Sequence, residues 1–175
     1  PGISVIIPER ANPLILEQCV DSVWGALKQI SEPAEVIIVV SASAPEQYEH
    51  LSKRYPAVRW LLFDNPLWFG RAICEGLKIA HYDWVYLLNS DMTLDSQALS
   101  EVLPWRASHV FAIASQIFLA DSSLRREETG WTSFMGSEDT MEIHDTPPED
   151  ELVRGSLYAG GGASLFQKNL LMRFA

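Results

Sequence analysis

Ile3-Ser4-Val5-Ile6-Ile7-Pro8 is a short β-branched run closed by a proline. Apolar residues in near-continuous succession, rather than at every second position, mark a strand covered on both faces. Asn12 and Pro13 follow as an N-cap and a first-turn proline. Leu16, Cys19, Val20, Val23, Leu27 and Ile30 then recur at helical spacing up to the Ser31-Glu32-Pro33 break. This is one β-α unit, and the chain repeats it. Val36 to Val40 predicts a second buried strand, and the capping-box spacing of Ser43-Ala44-Pro45-Glu46 predicts a helix carrying Tyr48, Leu51 and Tyr55. Val58 to Phe63 reads as a third strand, Ala72, Ile73, Gly76, Leu77 and Ala80 as a third helix, and Trp84 to Leu88 as a fourth strand. Asp95 is expected to cap a short helix through Leu103 that Pro104 ends, and His109 to Phe118 reads as a fifth strand. The alternation predicts an α/β fold, a Rossmann-like, mostly parallel sheet flanked by helices in a single domain. Residues 119–156, rich in Gly, Ser, Pro and acid, break the rhythm and predict a long excursion or flexible loop between portions 1–118 and 157–175.

Composition narrows the function. In 175 residues, 47% are hydrophobic, enough for a real core, and 13 Lys and Arg against 23 Asp and Glu leave a net charge of −10. Such a chain repels phosphate backbones, so no nucleic-acid partner is expected. Residues 121–154 hold ten acidic and three basic residues, −7 of that total, so the remainder still admits a small anionic ligand. Cys19 and Cys74 lie apart within apolar patterns and read as buried thiols, which fits a reducing cytoplasm. No run approaches the roughly 18–20 apolar residues of a membrane span, and the start lacks the zones of a signal peptide. The chain begins without Met and stops at Leu171-Met172-Arg173-Phe174-Ala175, as a fragment of something longer would.

Parallel α/β sheets bind ligands beyond the carboxyl ends of their strands. Those ends carry Pro8-Glu9-Arg10, Ser41-Ala42-Ser43, Asp64-Asn65 and Asn89-Ser90-Asp91. A carboxylate beside a carboxamide suits a hard divalent cation, Mg²⁺ or Mn²⁺, that keeps waters and shares phosphate oxygens. Asp91 as a mere cap of the following turn is the equal alternative. Neither a P-loop nor a G-x-G-x-x-G fingerprint is present, which removes the ATPase and dehydrogenase readings. Gly160-Gly161-Gly162 either lets a ligand approach the backbone or makes a turn or bulge. The four His share no ligand spacing, no serine has a nucleophile-elbow context, and the acidic pairs Glu127-Glu128 and Glu149-Asp150 read chiefly as solvated.

Together these pieces resemble the nucleotide-sugar half of a family 2 glycosyltransferase of GT-A fold. Ile3 to Pro8 resembles the opening S-V-I-I-P strand, and Arg10 with Asn12 the P-x-R-N variant. Val36 to Ser43 is similar to E-I-I-V-V-D-x-G-S, and Trp68-Phe69-Gly70-Arg71-Ala72 with Gly76-Leu77 and Ala80 to G-F-G-x-A-x-N-x-G-L-x-x-A. Tyr86 to Asp91 resembles the L-N-x-D form of D-x-D, and Gly161-Gly162-Ala163 the later G-[AG]-A.

The resemblance implies an enzyme moving a sugar, with inversion, from a nucleoside-diphosphate sugar to an acceptor hydroxyl in polysaccharide or lipid-linked glycan assembly. It implies that Asp91 binds the metal with Asn89 beside it. Donor contacts would come from Pro8, Glu9, Arg10, Ser41, Ser43, Asn65, Gly70, Arg71 and Ser90, with Gly161 and Gly162 on the acceptor side. Residues 1–118 would then bind the donor, and 157–175 would begin an acceptor portion cut off before the segment that carries the general base, so no base is assigned. The expected compartment is the cytoplasm, with peripheral attachment at the inner face of the membrane as an open variant. Ser41 stands where the family usually has an acid, Cys74 where an Asn is frequent, and Asn89 replaces the first Asp of D-x-D. Those departures keep a second reading open, a non-catalytic GT-A domain that binds nucleotide or a protein partner. A nucleotidyltransferase of related fold ranks third, because its Gly-rich signature after the first strand is missing.

Overall fold

The structure, a computed structural model, describes residues 2–119, 131–136, 140, 142–146 and 153–174. Strand β1 (Ile3–Glu9) lies at the heart of a six-stranded sheet and leads into helix α1 (Pro13–Leu27). The chain continues through β2 (Ala34–Ser41), α2 (Glu49–Arg54), β3 (Arg59–Phe63), α3 (Phe69–Ile79), β4 (Trp84–Leu88), α4 (Ala98–Val102) and β5 (Ala112–Ala114). Then come β6 (Trp131–Met135), β7 (Glu142–Thr146), β8 (Ala163–Gln167) and α5 (Lys168–Leu171). The sheet order is β3-β2-β1-β4-β8-β5. β1, β2, β3 and β4 are mutually parallel, and β8 runs antiparallel to both β4 and β5.

The continuous apolar strands have the cause the sequence suggested. Ile3, Val5 and Ile7 point into a core shared with Leu16, Cys19, Val20 and Val23 of α1 and with Tyr48 and Leu51, while Ile6, Ile37 and Val39 face Ala72, Ile73 and Leu77 of α3. Helices therefore cover both faces. Gly76 allows the second contact, since a Cβ there would lie 2.7 Å from Ile6 Cγ2. From β1 the chain steps outward through β2 to β3, then returns so that β4 lies on the other side of β1. That reversal is a topological switch point, where strand ends diverge and leave a crevice.

Several boundaries differ from expectation for identifiable reasons. β1 continues through Pro8 because its pairing with β4 stops at Ile6↔Leu87, and beyond that only β2 lies alongside; a residue without N–H is tolerated at such a place. α1 ends at Leu27, before the Ser31-Glu32-Pro33 break. The capping box at Ser43 does not form. Ala44 is the N-cap, Pro45–Tyr48 is a 3-10 turn, and Ser43 sits one residue too early. Asp95 makes an Asx turn, its Oδ1 accepting from the Gln97 N–H at 2.8 Å, and α4 begins only at Ala98. Pro104 enters a 3-10 turn (Leu103–Trp105) rather than ending the segment. The fifth strand shrinks to three residues because β5 is an edge strand with β8 as its partner.

Within the 119–156 segment, β6 and β7 pair as an antiparallel ribbon with Phe134 opposite Ile143. Buried Thr132 ties that ribbon to residues 156–158, its Oγ1 lying 2.7 Å from Ser156 Oγ and accepting from the Leu157 N–H at 3.0 Å. Glu127-Glu128 and Glu149-Asp150 lie outside the described residues. Cys19 is buried as expected, whereas Cys74 is only half-buried.

Candidate functional site

At the switch point, the carboxyl ends of β1, β2 and β4 and the start of α3 enclose a cleft of about 420 Å³. Pro8, Glu9, Arg10, Ser41, Asn89, Ser90 and Asp91 line it, seven of the residues expected to converge. Asn12, Leu67, Phe69 and Ala72 also line it, and the strand-end reasoning had not placed them there. A second depression of about 480 Å³ lies at the other end of the sheet, but its cation, Arg106, is held by both carboxylate oxygens of Glu32 at 2.7 and 2.8 Å.

Glu9 organises the cleft wall at the end of β1. Its side chain is only 3% exposed. Oε1 accepts from the Tyr48 hydroxyl at 2.9 Å and from the Asn12 N–H at 2.7 Å, joining the strand end to the α1 N-cap and to the turn after β2. Oε2 is buried with no hydrogen-bond partner among the described residues. Burial pushes the Tyr48 phenol above its ordinary pKa, and the carboxylate beside it adds to the rise.

Two alanines turn the chain away from the sheet at the cleft rim, Ala11 with φ 61° and Ala42 with φ 51°. Left-handed backbone at a residue with a Cβ costs roughly 1–2 kcal/mol, so both turns are held from outside. Ser43 supplies the clasp. Its Oγ accepts from the Ala11 N–H at 2.9 Å and donates to the Ser41 carbonyl at 3.2 Å, binding the two loops together. Ser43 thus shapes the cleft without lining it.

The Asn89-Ser90-Asp91 turn is fixed through its backbone. The Asn89 N–H donates to the Gly162 carbonyl at 2.8 Å, and the Asn89 carbonyl accepts from the Met92 N–H at 3.2 Å and from the Cys19 thiol at 3.6 Å. Burial, with the charges of Glu9 and Asp91 adding to it, pushes the Cys19 thiol up to about 12. This turn leaves Asp91 exposed at the mouth. Among the residues lining the cleft, Glu9 and Asp91 are the carboxylates and Arg10 is the cation.

Gly161 and Gly162 do not line the cleft but pack against two residues that do. A Cβ at Gly161 would come within 3.0 Å of the Phe69 ring, and one at Gly162 within 3.2 Å of Asn89 Nδ2. Asn65, Gly70 and Arg71 do not line the cleft; Arg71 pairs with Glu75 along α3 at 2.8 Å. Trp68, the N-cap of α3, makes no side-chain cap, so the first turn of that helix carries no intrahelical cap beside the cleft. The signal for Phe69 lay in the Trp68 to Ala72 string, but an apolar residue escapes a search for polar groups at strand ends.

Comparison with known proteins decides the family. A model of glycosyl transferase family 2 matches residues 4–167. The chain belongs to glycosyl transferase family 2. Its six-stranded sheet is that of the GT-A fold. The mannosyltransferase PcManGT from Pyrobaculum calidifontis, solved with GDP-Man and Mn²⁺, superposes with a TM-score of 0.67 at 16% identity, over 99% of this chain and 46% of that one. TarS 1-349 from S. aureus gives 0.67 at 15% identity, over 99% and 49%. A 4-diphosphocytidyl-2C-methyl-D-erythritol synthase from Anaerococcus prevotii gives 0.59 at 18%, over 98% and 75%. The chain therefore spans about half the length of the first two. A search of curated protein sequences finds no significant match.

Proposed function

We propose that this family 2 domain binds a nucleoside-diphosphate sugar in the switch-point cleft, and that the protein it belongs to transfers the sugar to an acceptor hydroxyl. One observation carries the reading. The ends of β1, β2 and β4, which the chain order scatters over about eighty residues, meet in a single cleft whose volume suits a small ligand. PcManGT, of the same fold, binds GDP-Man and Mn²⁺.

Among the described residues no three His, Cys, Asp or Glu side chains gather into a metal cage. Exposed Asp91 with Asn89 is nonetheless a fitting donor set for Mg²⁺ or Mn²⁺, which takes one or two carboxylates and fills its shell with water and phosphate oxygens. When bound, such a cation neutralises charge on the departing diphosphate. Arg10 adds a positive charge at the same cleft, and the uncapped first turn of α3 offers N–H groups and the positive end of a helix dipole.

Inversion, a glycan or lipid-linked acceptor, and a place in polysaccharide assembly belong to the same proposal. So does a cytoplasmic site, whether free or peripheral at the inner membrane face; no helix among the described residues is long and apolar enough to cross a membrane. Neutral Ser41, buried where a charged group would bind more strongly, favours the second reading, a domain that binds nucleotide without turnover.

The test is release of nucleoside diphosphate from a panel of nucleoside-diphosphate sugars in Mn²⁺, with wild type and Asp91→Asn. The proposal expects release with one donor and a loss of a hundredfold or more in the variant. Equal rates would refute the role of Asp91, and nucleotide binding with no release would favour the non-catalytic domain.

A further inference from the structure

The loop after β1 is held in an unfavourable shape from across the sheet edge. Ala11 lies at φ 61°, between Arg10 and Asn12, both of which line the cleft. Its N–H donates to Ser43 Oγ at 2.9 Å, and that hydroxyl donates in turn to the Ser41 carbonyl at 3.2 Å. The second left-handed residue, Ala42, is held differently, its N–H donating to the Phe63 carbonyl of β3 at 2.9 Å. A backbone bond to β3 thus fixes the loop after β2, and one side chain passes that order on to the loop after β1. Ser43 itself does not line the cleft. Resting on the nucleotide-sugar reading, we infer that Ser43 is a positioning residue for the donor: it holds Ala11 left-handed and thereby keeps Arg10 turned toward the diphosphate.

Arg10 depends on such support. It is exposed, is the cation among the residues lining the cleft, and enters no ion pair among the described residues. With no such partner, the direction of its side chain is set by the backbone of its loop, and a preset backbone lowers the ordering that binding must supply. An alanine released from the clasp returns to right-handed or extended backbone, which it favours by a factor of about 5 to 30. Arg10 and Asn12 move with it. Glycine makes the same left-handed turn without that penalty. The clasp is needed because residue 11 is alanine.

Two consequences separate positioning from plain support of the fold. Ser43→Ala should weaken binding only while Arg10 is present, and Ala11→Gly should restore what Ser43→Ala loses, although glycine replaces no bond. The experiment measures dissociation constants of UDP, GDP and dTDP in Mn²⁺ for wild type. The tightest of the three is then titrated into Ser43→Ala, Arg10→Ala, and Ser43→Ala combined with Arg10→Ala or with Ala11→Gly. Thermal melting checks that each variant is folded. Ser43→Cys, close in shape but a weaker hydrogen-bonding group, takes the place of Ser43→Ala throughout if that variant does not fold.

Ser43→Ala should bind about 5- to 30-fold more weakly, in line with the backbone preference of alanine. Its combination with Arg10→Ala should bind no more weakly than Arg10→Ala alone, and its combination with Ala11→Gly should recover most of the loss. Undiminished affinity in Ser43→Ala or in Arg10→Ala overturns the inference. So does a Ser43→Ala loss that adds in full to that of Arg10→Ala, or one that Ala11→Gly leaves untouched; either would make Ser43 a support of the fold alone. Binding of none of the three nucleotides by wild type overturns the donor reading itself, and this inference with it.

Discussion

Glu35 gives a prediction that can be worked through in numbers. At the amino end of β2 it accepts from Ser4 Oγ at 2.7 Å, Arg59 Nη1 at 2.8 Å and the His81 N–H at 2.6 Å, and its Oε2 lies 2.9 Å from His81 Nδ1. One carboxylate thereby ties β1, β2, β3 and the end of α3 together. Burial pushes its pKa up, but the His81 backbone bond and those from Ser4, Arg59 and the His81 ring outweigh that and bring it from 4.5 to about 2. At 1.36 kcal/mol per pH unit, that depression sets a ceiling of about 3 kcal/mol. Glu35 is 11% exposed, but Arg59 and His81 are 36% and 69% exposed, and solvent screening reduces the contribution to about 1–2 kcal/mol.

The folded pKa is depressed, so this stability is present in full above pH 4.5 and is lost as pH falls toward 2. At pH 3, about 60% of it is gone. Urea unfolding of wild type and Glu35→Gln at pH 7 and at pH 3 measures the difference, which should be about 1–2 kcal/mol at pH 7 and less than half of that at pH 3. A difference that stays constant between the two would show that Glu35 acts by shape alone and would refute the electrostatic account.

Three further outcomes follow. Gly76→Ala gains about 1 kcal/mol of helix propensity, but its Cβ meets the fully buried Ile6 at 2.7 Å. Overpacking of about 1–3 kcal/mol leaves the variant less stable by roughly 1 kcal/mol, read as a lower urea midpoint. Ala11→Gly relieves the left-handed strain at φ 61° and should raise stability slightly, by about 0.5–1 kcal/mol after the entropy of the freer unfolded chain is counted; a loss would mean that the methyl group packs. In the native protein at pH 8, Ellman's reagent should modify half-buried Cys74 and spare Cys19, whose thiol is buried and raised to about 12, until denaturant is added.

How far the sequence carried depended on whether its signals were local. The Ile3 to Ile7 and Trp84 to Leu88 runs declared themselves as buried strands, because only a strand covered on both faces uses such residues throughout. Asn12-Pro13 marked the start of α1 because both act within one turn. The position of β8 was not legible. Leu165-Phe166 reads as apolar, but the insertion of β8 between β4 and β5 depends on partners far away in the chain. Ser43 shows the same limit at the scale of one side chain: its spacing spelled a cap, and a bond to Ala11, brought near by the sheet, made it a clasp instead. Seven candidate site residues converged because strand ends of a parallel sheet share one edge. Arg71 did not line the cleft, since a salt bridge one helical turn away draws it along α3. Glu9 was visible as a residue of that edge, but its burial and its single free oxygen exist only once Tyr48 has packed against it.

The central claim is that the switch-point cleft holds a nucleoside diphosphate through Asp91 and a divalent cation. A thermal-shift titration of this chain with UDP, GDP and dTDP, each with and without Mn²⁺, on wild type and on Asp91→Ala, tests it most directly. A ligand at a hundredfold excess over Kd stabilises the folded state by about 2.7 kcal/mol, a shift of several degrees for a domain of this size. The account predicts a rise for at least one nucleotide that requires Mn²⁺ and disappears in Asp91→Ala. Melting temperatures unmoved by all three nucleotides, or a rise that persists undiminished in the variant, would contradict it.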